Sequence, residues 1–284
     1  MFDLTKLVII VILGIIEGIT EFLPISSTSH MALVENFLNC LDSSMQLFTI
    51  VVQLGAILSV LVVFRKQLYN MIAHCMLNLF NRNHHHNSHL CLQHIFIGML
   101  PSLIFGIFFY DFIKGLFFNL LYMIYGLIFG GFFILIGEYF FLKPKNLLRC
   151  VSKVSDITYL QAFLIGCFQC LSFWPGFSRS GATIGGGLLV GLDRRISLEF
   201  SFFLAIPMIF GSTIMTVYHH KDDVIGISNL LMFIIGCIVA FVVAMFVIKF
   251  LFKIIQKNSL IPFVIYRFLL AIFIFLVKDD LICR

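Results

Sequence analysis

The chain has 284 residues and a formal net charge of +5, with 61% apolar residues, only 12% charged residues and a mean hydropathy of +1.06. This composition excludes an ordinary water-soluble protein, because too few polar side chains are available to cover a surface that faces water. The basic residues are scattered singly and in pairs between apolar stretches, which excludes a nucleic-acid-binding surface and is typical of loops between membrane spans.

The first apolar stretch, within 4–44, is interrupted by Pro24 and a run of Ser and Thr. Glu17 and Glu21 stand where a signal peptide would need a small-residue cleavage site, so we expect this segment to be retained. Three uninterrupted stretches follow, each long enough to cross the hydrocarbon core of a bilayer as a helix. They are predicted at about 46–64, 93–110 and 116–141.

A second interrupted segment, 158–193, contains Pro175 among glycines and serines. Three more crossings are predicted after it, at about 197–218, 228–252 and 260–278. Interrupted helices survive in a bilayer only where they are buried in protein or line a polar cavity. The sequence therefore predicts a single membrane domain over 1–284, an all-α polytopic protein with about six transmembrane helices and two broken or re-entrant segments.

The two interrupted segments resemble each other. The first reads GIIEGITEFLPISSTSH and the second GCFQCLSFWPGFSRSG, with a Ser-rich turn after each Pro. Three crossings follow each copy, and an odd number turns the second copy upside down. We predict an inverted-topology repeat with halves at approximately 1–141 and 158–278; chance similarity in a biased sequence is the alternative.

The basic residues predict the orientation of the chain. Twelve Lys and Arg fall in 65–92, 142–157, 192–196 and 249–259, and five fall in the loops and termini of the opposite side. The positive-inside rule then makes the first side cytoplasmic and puts both chain termini outside. Arg179 and Arg267 remain at membrane depth, where unpaired charge is costly and marks function by default.

Acids remain at membrane depth as well: Glu17 and Glu21, with Glu138 near the end of a span. Glu17 and Glu21 are four residues apart, so on a helix they share a face and repel each other if both are ionised. A hard divalent cation, Mg²⁺ or Ca²⁺, suits two carboxylates plus phosphate oxygens. The alternative is a structural pair held by Arg179 or Arg267.

Hydroxyl groups and an imidazole follow the two carboxylates. The segment PISSTSH places Ser26, Ser27, Thr28 and His30 after the proline that breaks the helix. A hydroxyl is a weak nucleophile unless a base takes its proton, and His30 is the nearby group that titrates closest to neutrality. Ordinary hydrogen bonding of each residue is the alternative.

The second interrupted segment offers groups that suit a phosphate. Arg179 supplies a planar cationic fork, and the neighbouring hydroxyl groups and glycine allow close approach of an anion. The candidate phosphate-binding residues are Ser178, Arg179, Ser180, Gly181 and Thr183. The spacing of a Walker loop is absent from this run.

Two other patterns are interpreted without a site. The run NRNHHHNSH (Asn81 to His89) is expected to be a solvated loop. Cys167 and Cys170 form a lone CxxC with no second pair, so a zinc or redox site is not expected, and the cysteines are interpreted as apolar fillers.

The segments EGITEFLPISSTSH and PGFSRSG resemble the two signature segments of bacterial undecaprenyl-diphosphatases, also called bacitracin-resistance proteins. The resemblance covers essentially the whole chain. It implies an enzyme of the cytoplasmic (inner) membrane that hydrolyses undecaprenyl diphosphate to undecaprenyl phosphate and phosphate on the outer face, with a divalent cation. Such an enzyme recycles the lipid carrier for peptidoglycan and other envelope polymers and confers bacitracin resistance.

The resemblance also implies roles for individual residues. Glu17 and Glu21 would be metal-binding or acid/base carboxylates, Ser27 a nucleophile and His30 its partner. The diphosphate would be held by Ser178, Arg179 and Thr183, with Arg267 as a further family arginine. One departure is Ser29, where the family usually carries Gly before the His.

Several alternatives stay open. Either Ser27 attacks phosphorus, or Glu21 and His30 activate water, and in both routes charge neutralisation carries most of the catalysis. A polyprenyl-phosphate transporter or flippase is the competing function, because inverted repeats with broken helices are also transporter architecture. A purely structural subunit leaves the intramembrane charges unexplained. The expected partners are the lipid substrate, membrane lipids and, as an open option, a second copy of the chain.

Overall fold

The structure is a computed structural model that describes residues 4–38, 40, 43–80, 92–116, 119–142, 151, 153–219, 227–255 and 258–282. Within these ranges the chain forms α-helices, two short 3₁₀ segments and no β-strand. The α-helices in chain order are α1 Leu4–Thr20, α2 Ser27–Phe37, α3 Ser43–Val51, α4 Gln53–Val63, α5 Arg65–Phe80, α6 Leu92–Phe108, α7 Tyr110–Leu116, α8 Leu120–Leu142, α9 Tyr159–Gln169, α10 Arg179–Leu189, α11 Arg194–His219, α12 Ile227–Ile255 and α13 Ile261–Ile282. The predicted all-α fold is confirmed.

Five helical stretches in the described ranges are long and apolar enough to cross a membrane. They are Ser44–Val63, Leu120–Leu142, Arg194–Tyr218, Leu230–Ile255 and Ile261–Lys278. They correspond to five of the six predicted crossings, and the first is divided by a turn at Val52. The sixth corresponds to α6, which is apolar but has 17 residues and contains Pro101.

Both predicted interruptions are present, and they are built alike. The chain leaves α1 after Thr20 and begins α2 at Ser27, and it leaves α9 after Gln169 and begins α10 at Arg179. The residues before α2 and α10 are Ser26 and Ser178, with positive φ angles of 71° and 76°. Each serine side chain accepts a hydrogen bond from a backbone N–H three residues later, which caps the re-entrant helix.

Helices from the first half of the chain pack against helices from the second half, and the corresponding helices exchange partners. Helix α1 lies along α12, and α9 lies along α6. Helix α8 contacts both α10 and α13. This exchange of partners is the packing that an inverted repeat would give, and the repeat itself stays a prediction.

Charged side chains near the end of α8 are paired. Glu138 accepts a bidentate hydrogen bond from Arg194, at 2.9 and 2.5 Å, and also accepts from the backbone N–H of Leu260. The pair is largely buried and ties α8 to the start of α11 and the start of α13. Glu138 is therefore explained by packing and needs no ligand.

The histidine run from Asn81 to His89 lies outside the described residues, so its interpretation as a solvated loop stays a prediction. Cys167 and Cys170 are free thiols, and Cys167 is exposed on its helix. Among the residues that the structure describes, no group of three or more His, Cys, Asp and Glu side chains suits a metal ion.

Candidate active site

Glu21 joins the two interrupted segments. It lies just after α1, and one of its carboxylate oxygens accepts a hydrogen bond from Ser27 Oγ at 2.7 Å. The other oxygen forms an ion pair with Arg179 Nη2 at 3.0 Å. A hydroxyl from the first segment and a guanidinium from the second therefore meet on one buried carboxylate.

Arg179 keeps unused hydrogen-bond donors. Its Nη1 donates to the backbone carbonyl of Ser201 at 3.1 Å, and its buried Nε has no partner among the described residues. A guanidinium carries five N–H donors, so the bonds to Glu21 and Ser201 leave three N–H groups without an acceptor in this part of the chain. Thr183 supports this arrangement, because its hydroxyl lies 2.9 Å from the carbonyl of Arg179 and 2.6 Å from the hydroxyl of Ser201.

Glu17 is fully buried, and neither of its carboxylate oxygens has a hydrogen-bond partner among the described residues. It lies one helical turn before Glu21. A buried carboxylate without partners needs a proton or a cation. Oxygen donors of this kind suit Mg²⁺ or Ca²⁺, so Glu17 and Glu21 fit the predicted metal.

Both ring nitrogens of His30 have partners other than Ser27, and its role as the partner of Ser27 stays a prediction. Its Nδ1 lies 2.7 Å from the carbonyl oxygen of Ser26, and its Nε2 lies 2.8 Å from the hydroxyl of Tyr266. The hydroxyl of Ser27 is bonded to Glu21 instead. Thr28 follows Ser27 and is half-buried.

The serines of the second segment shape the backbone. Ser178 Oγ accepts from Gly181 N–H and lies 3.0 Å from Ser180 Oγ, and Ser180 Oγ donates to the carbonyl of Leu23 at 2.9 Å. These bonds fasten the second interruption to the first. Binding of the diphosphate by Ser178, Ser180 and Gly181 stays a prediction, and their structural bonds place Arg179 between them.

Arg267 is fully buried and donates to backbone carbonyls. Its acceptors are Pro24, Gly126, Leu127, Gly176 and Phe177, at 2.9 to 3.1 Å. They belong to the first interruption, to α8 and to the second interruption. Every nitrogen of the guanidinium is thus engaged by the protein, which supports a structural role. Substrate binding by Arg267 finds no support in this geometry.

Sequence reasoning missed several polar residues. The carbonyl of Ser201 accepts a hydrogen bond from Arg179, and its hydroxyl is hydrogen-bonded to that of Thr183. The hydroxyl of Tyr266 is hydrogen-bonded to His30. Glu35 is a further buried acid, bonded by the hydroxyl of Thr49 and within electrostatic range of Glu17. An acid in an apolar segment is the signal that marks Glu35, whereas a single Ser or Tyr in a span gives none.

The comparisons with known proteins agree along nearly the whole chain. A family model described as "Bacitracin resistance protein BacA" matches residues 10–273. A protein of Blochmanniella pennsylvanica (strain BPEN) named undecaprenyl-diphosphatase is 56% identical over 269 residues, which cover 95% of this chain and 90% of the relative. A protein of Baumannia cicadellinicola subsp. Homalodisca coagulata with the same name is 47% identical over 282 residues, which cover 98% of this chain and 99% of the relative.

Proposed function

The chain belongs to the bacitracin resistance protein BacA family, and from this premise we propose that it hydrolyses undecaprenyl diphosphate to undecaprenyl phosphate and inorganic phosphate. It is a membrane phosphatase, in agreement with the names of its relatives. The reaction returns the lipid carrier to peptidoglycan and envelope polymer synthesis and accounts for bacitracin resistance.

One observation carries the chemistry: Glu21 accepts hydrogen bonds from both Ser27 and Arg179. Ser27 attacks the terminal phosphorus while its proton passes to Glu21, and the bond to the bridging oxygen breaks as undecaprenyl phosphate leaves. Water then hydrolyses the phosphoserine and releases inorganic phosphate. Arg179 donates to the oxygens of the phosphoryl group through the N–H groups that the protein leaves unused.

Direct attack by water is the second route. In it Glu21 takes a proton from water, and His30 assists as an acid or base. The 2.7 Å bond between Ser27 and Glu21 supports the serine route, because it joins a nucleophile to a base before substrate arrives.

Glu17 and Glu21 would hold the divalent cation, which supplies charge neutralisation for the diphosphate when it is bound. The two oxygens of Glu17 support this assignment because no donor among the residues that the structure describes engages them. Without a cation, Glu17 remains in its buried position only with a proton.

The basic loops support an orientation with both termini outside and the site open to the outer face of the cytoplasmic membrane. This orientation, the inner membrane location and a homodimer are part of the proposal. Accessibility of single cysteines to an impermeant thiol reagent tests the orientation, and mass measurement in detergent tests the dimer.

Phosphate release from a long-chain prenyl diphosphate tests the function. Purified protein in detergent is assayed with Mg²⁺, with Ca²⁺ and with EDTA, beside the double variant Glu17→Ala, Glu21→Ala. We expect release that needs the cation and is lost in the double variant. A well-folded wild-type protein that releases no phosphate would return the function to lipid transport, which no relative's name favours.

A further inference from the structure

The side chain of Tyr266 contacts His30, close to the interruption that carries Ser27 and Glu21. Its hydroxyl lies 2.8 Å from His30 Nε2, and the two rings are parallel with centroids 5.6 Å apart. Tyr266 is 43% exposed on α13, whereas the residue after it, Arg267, is fully buried. The tyrosine thus lies between the polar interior and the surroundings of the protein.

Packing between α2 and α13 fixes this pair. Ala32 and Leu33 of α2 share a buried cluster with Leu270 and Ala271 of α13. One turn further along, the rings of Phe37 and Phe273 are 6.3 Å apart. This packing places the backbone of Tyr266 beside that of His30, so the tyrosine ring can reach the imidazole.

The partners of His30 define its neutral tautomer. The carbonyl of Ser26 only accepts hydrogen bonds, so Nδ1 carries the hydrogen. In the neutral imidazole Nε2 is then the acceptor, and the hydroxyl of Tyr266 donates to it. The lone pair that a general base would use is therefore engaged by Tyr266.

We propose that Tyr266 is a positioning residue that fixes the tautomer and the orientation of His30 by donating its hydroxyl hydrogen to Nε2. The contact between Tyr266 and His30 is independent of the proposed function. The effect of Tyr266 on catalysis rests on the proposed function.

Two measurements on Tyr266→Phe test the proposal, with Tyr125→Phe as the control because Tyr125 has a similar exposure on α8. The first is the rate at which diethyl pyrocarbonate acylates His30, followed by peptide mass spectrometry. This reagent needs the free ring lone pair, so we expect at least about a 3-fold faster reaction in Tyr266→Phe, the equivalent of one hydrogen bond. If Tyr266 only packed against its neighbours and did not engage Nε2 of His30, the acylation rate of His30 in the folded protein would be unchanged.

The second measurement is kcat/KM in a double-mutant cycle with His30→Gln. In the water route, where His30 assists, we expect Tyr266→Phe alone to lower kcat/KM roughly 3- to 10-fold, because the imidazole loses its orientation. In either route it should cause no further loss beside His30→Gln, because Tyr266 acts through His30. An unchanged acylation rate, or additive losses, would overturn the proposal. An inactive wild type would instead contradict the proposed function, and the acylation rates would still decide on the pair.

Discussion

At the scale of single residues, Glu21 is the point where the two interruptions meet, because it accepts hydrogen bonds from both Ser27 and Arg179. Polar residues are rare in the membrane-spanning part of the chain, which predicts that these three side chains share a site. It does not predict which of them pair. The titration range of an imidazole favours His30 as the partner of Ser27, but Nε2 of His30 lies beside the hydroxyl of Tyr266, 236 positions along the chain. No local pattern encodes such a contact.

Ser27→Ala tests the serine route. We expect kcat to fall by more than about 1,000-fold, because among the described residues Ser27 has the hydroxyl that is bonded to Glu21 and loss of a nucleophile removes most of a covalent mechanism. The measurement is phosphate release at saturating substrate. Ser29→Gly is the matched control, since the bonds of Ser29 to described side chains lie within the cap of α2, and it should keep its activity. Full turnover by Ser27→Ala would establish attack by water.

At the scale of elements, the crossings and both interruptions follow from apolar length and from proline and serine placement. The division of the first crossing at Val52 was not foreseen, because the sequence remains apolar through the turn. The two positive-φ serines were not foreseen either, since glycine is the residue normally expected at such angles. Their side-chain caps compensate for this backbone conformation.

Ser178 should respond differently to two small substitutions. Ser178→Ala loses the cap and keeps the Cβ atom that serine already has at a φ of 76°, so we expect a loss of about 1–2 kcal/mol in unfolding free energy. Ser178→Gly also loses the cap but removes the Cβ and with it the backbone strain, so it should cost only a few tenths. Thermal unfolding in detergent, followed by circular dichroism, compares the two. Equal losses would show that the backbone angle is unimportant.

Gly18 controls the contact between α1 and α12. A Cβ atom at this position would lie 2.8 Å from the carbonyl oxygen of Ala240 and 2.8 Å from Val243 Cβ. Gly18→Ala should therefore destabilise the protein by about 1–3 kcal/mol and disturb Glu17 beside it. Gly211→Ala is the control, because among the described residues no atom outside its own helix backbone lies within 4 Å of a Cβ built there, and it should be neutral or stabilising by up to about 1 kcal/mol. Equal melting temperatures for the two variants would contradict this packing.

At the scale of the whole molecule, Arg267 determines how the parts are joined. A buried arginine in the last span suggested a ligand for phosphate, as buried charge usually marks function. Its acceptors are carbonyls from 90 to 243 positions away in the sequence, and a backbone carbonyl has no residue type by which it could be recognised. The fold class was therefore predictable, whereas the connection that holds the two interruptions together was not.

Arg267→Lys distinguishes a structural role of Arg267 from a role in substrate binding. Lysine keeps the charge but cannot reach five carbonyls with a planar fork, so we expect a loss of more than about 3 kcal/mol in unfolding free energy. Activity should fall in parallel with the folded fraction, with KM unchanged for the molecules that fold. Thermal unfolding and steady-state kinetics on the same preparation provide both quantities. Normal stability with a raised KM would restore Arg267 to the substrate site.

The position of Arg267 in the last described helix also has a consequence for biogenesis. The re-entrant segments are synthesised and reach the insertion machinery before α13. At that stage Arg267, whose side chain donates hydrogen bonds to the carbonyls of Pro24 and Phe177 in the folded protein, is not yet present. During that interval the nascent chain requires water, or a groove in the insertion machinery, to solvate them. The two interruptions are therefore expected to reach their final packing only after α13 has been inserted.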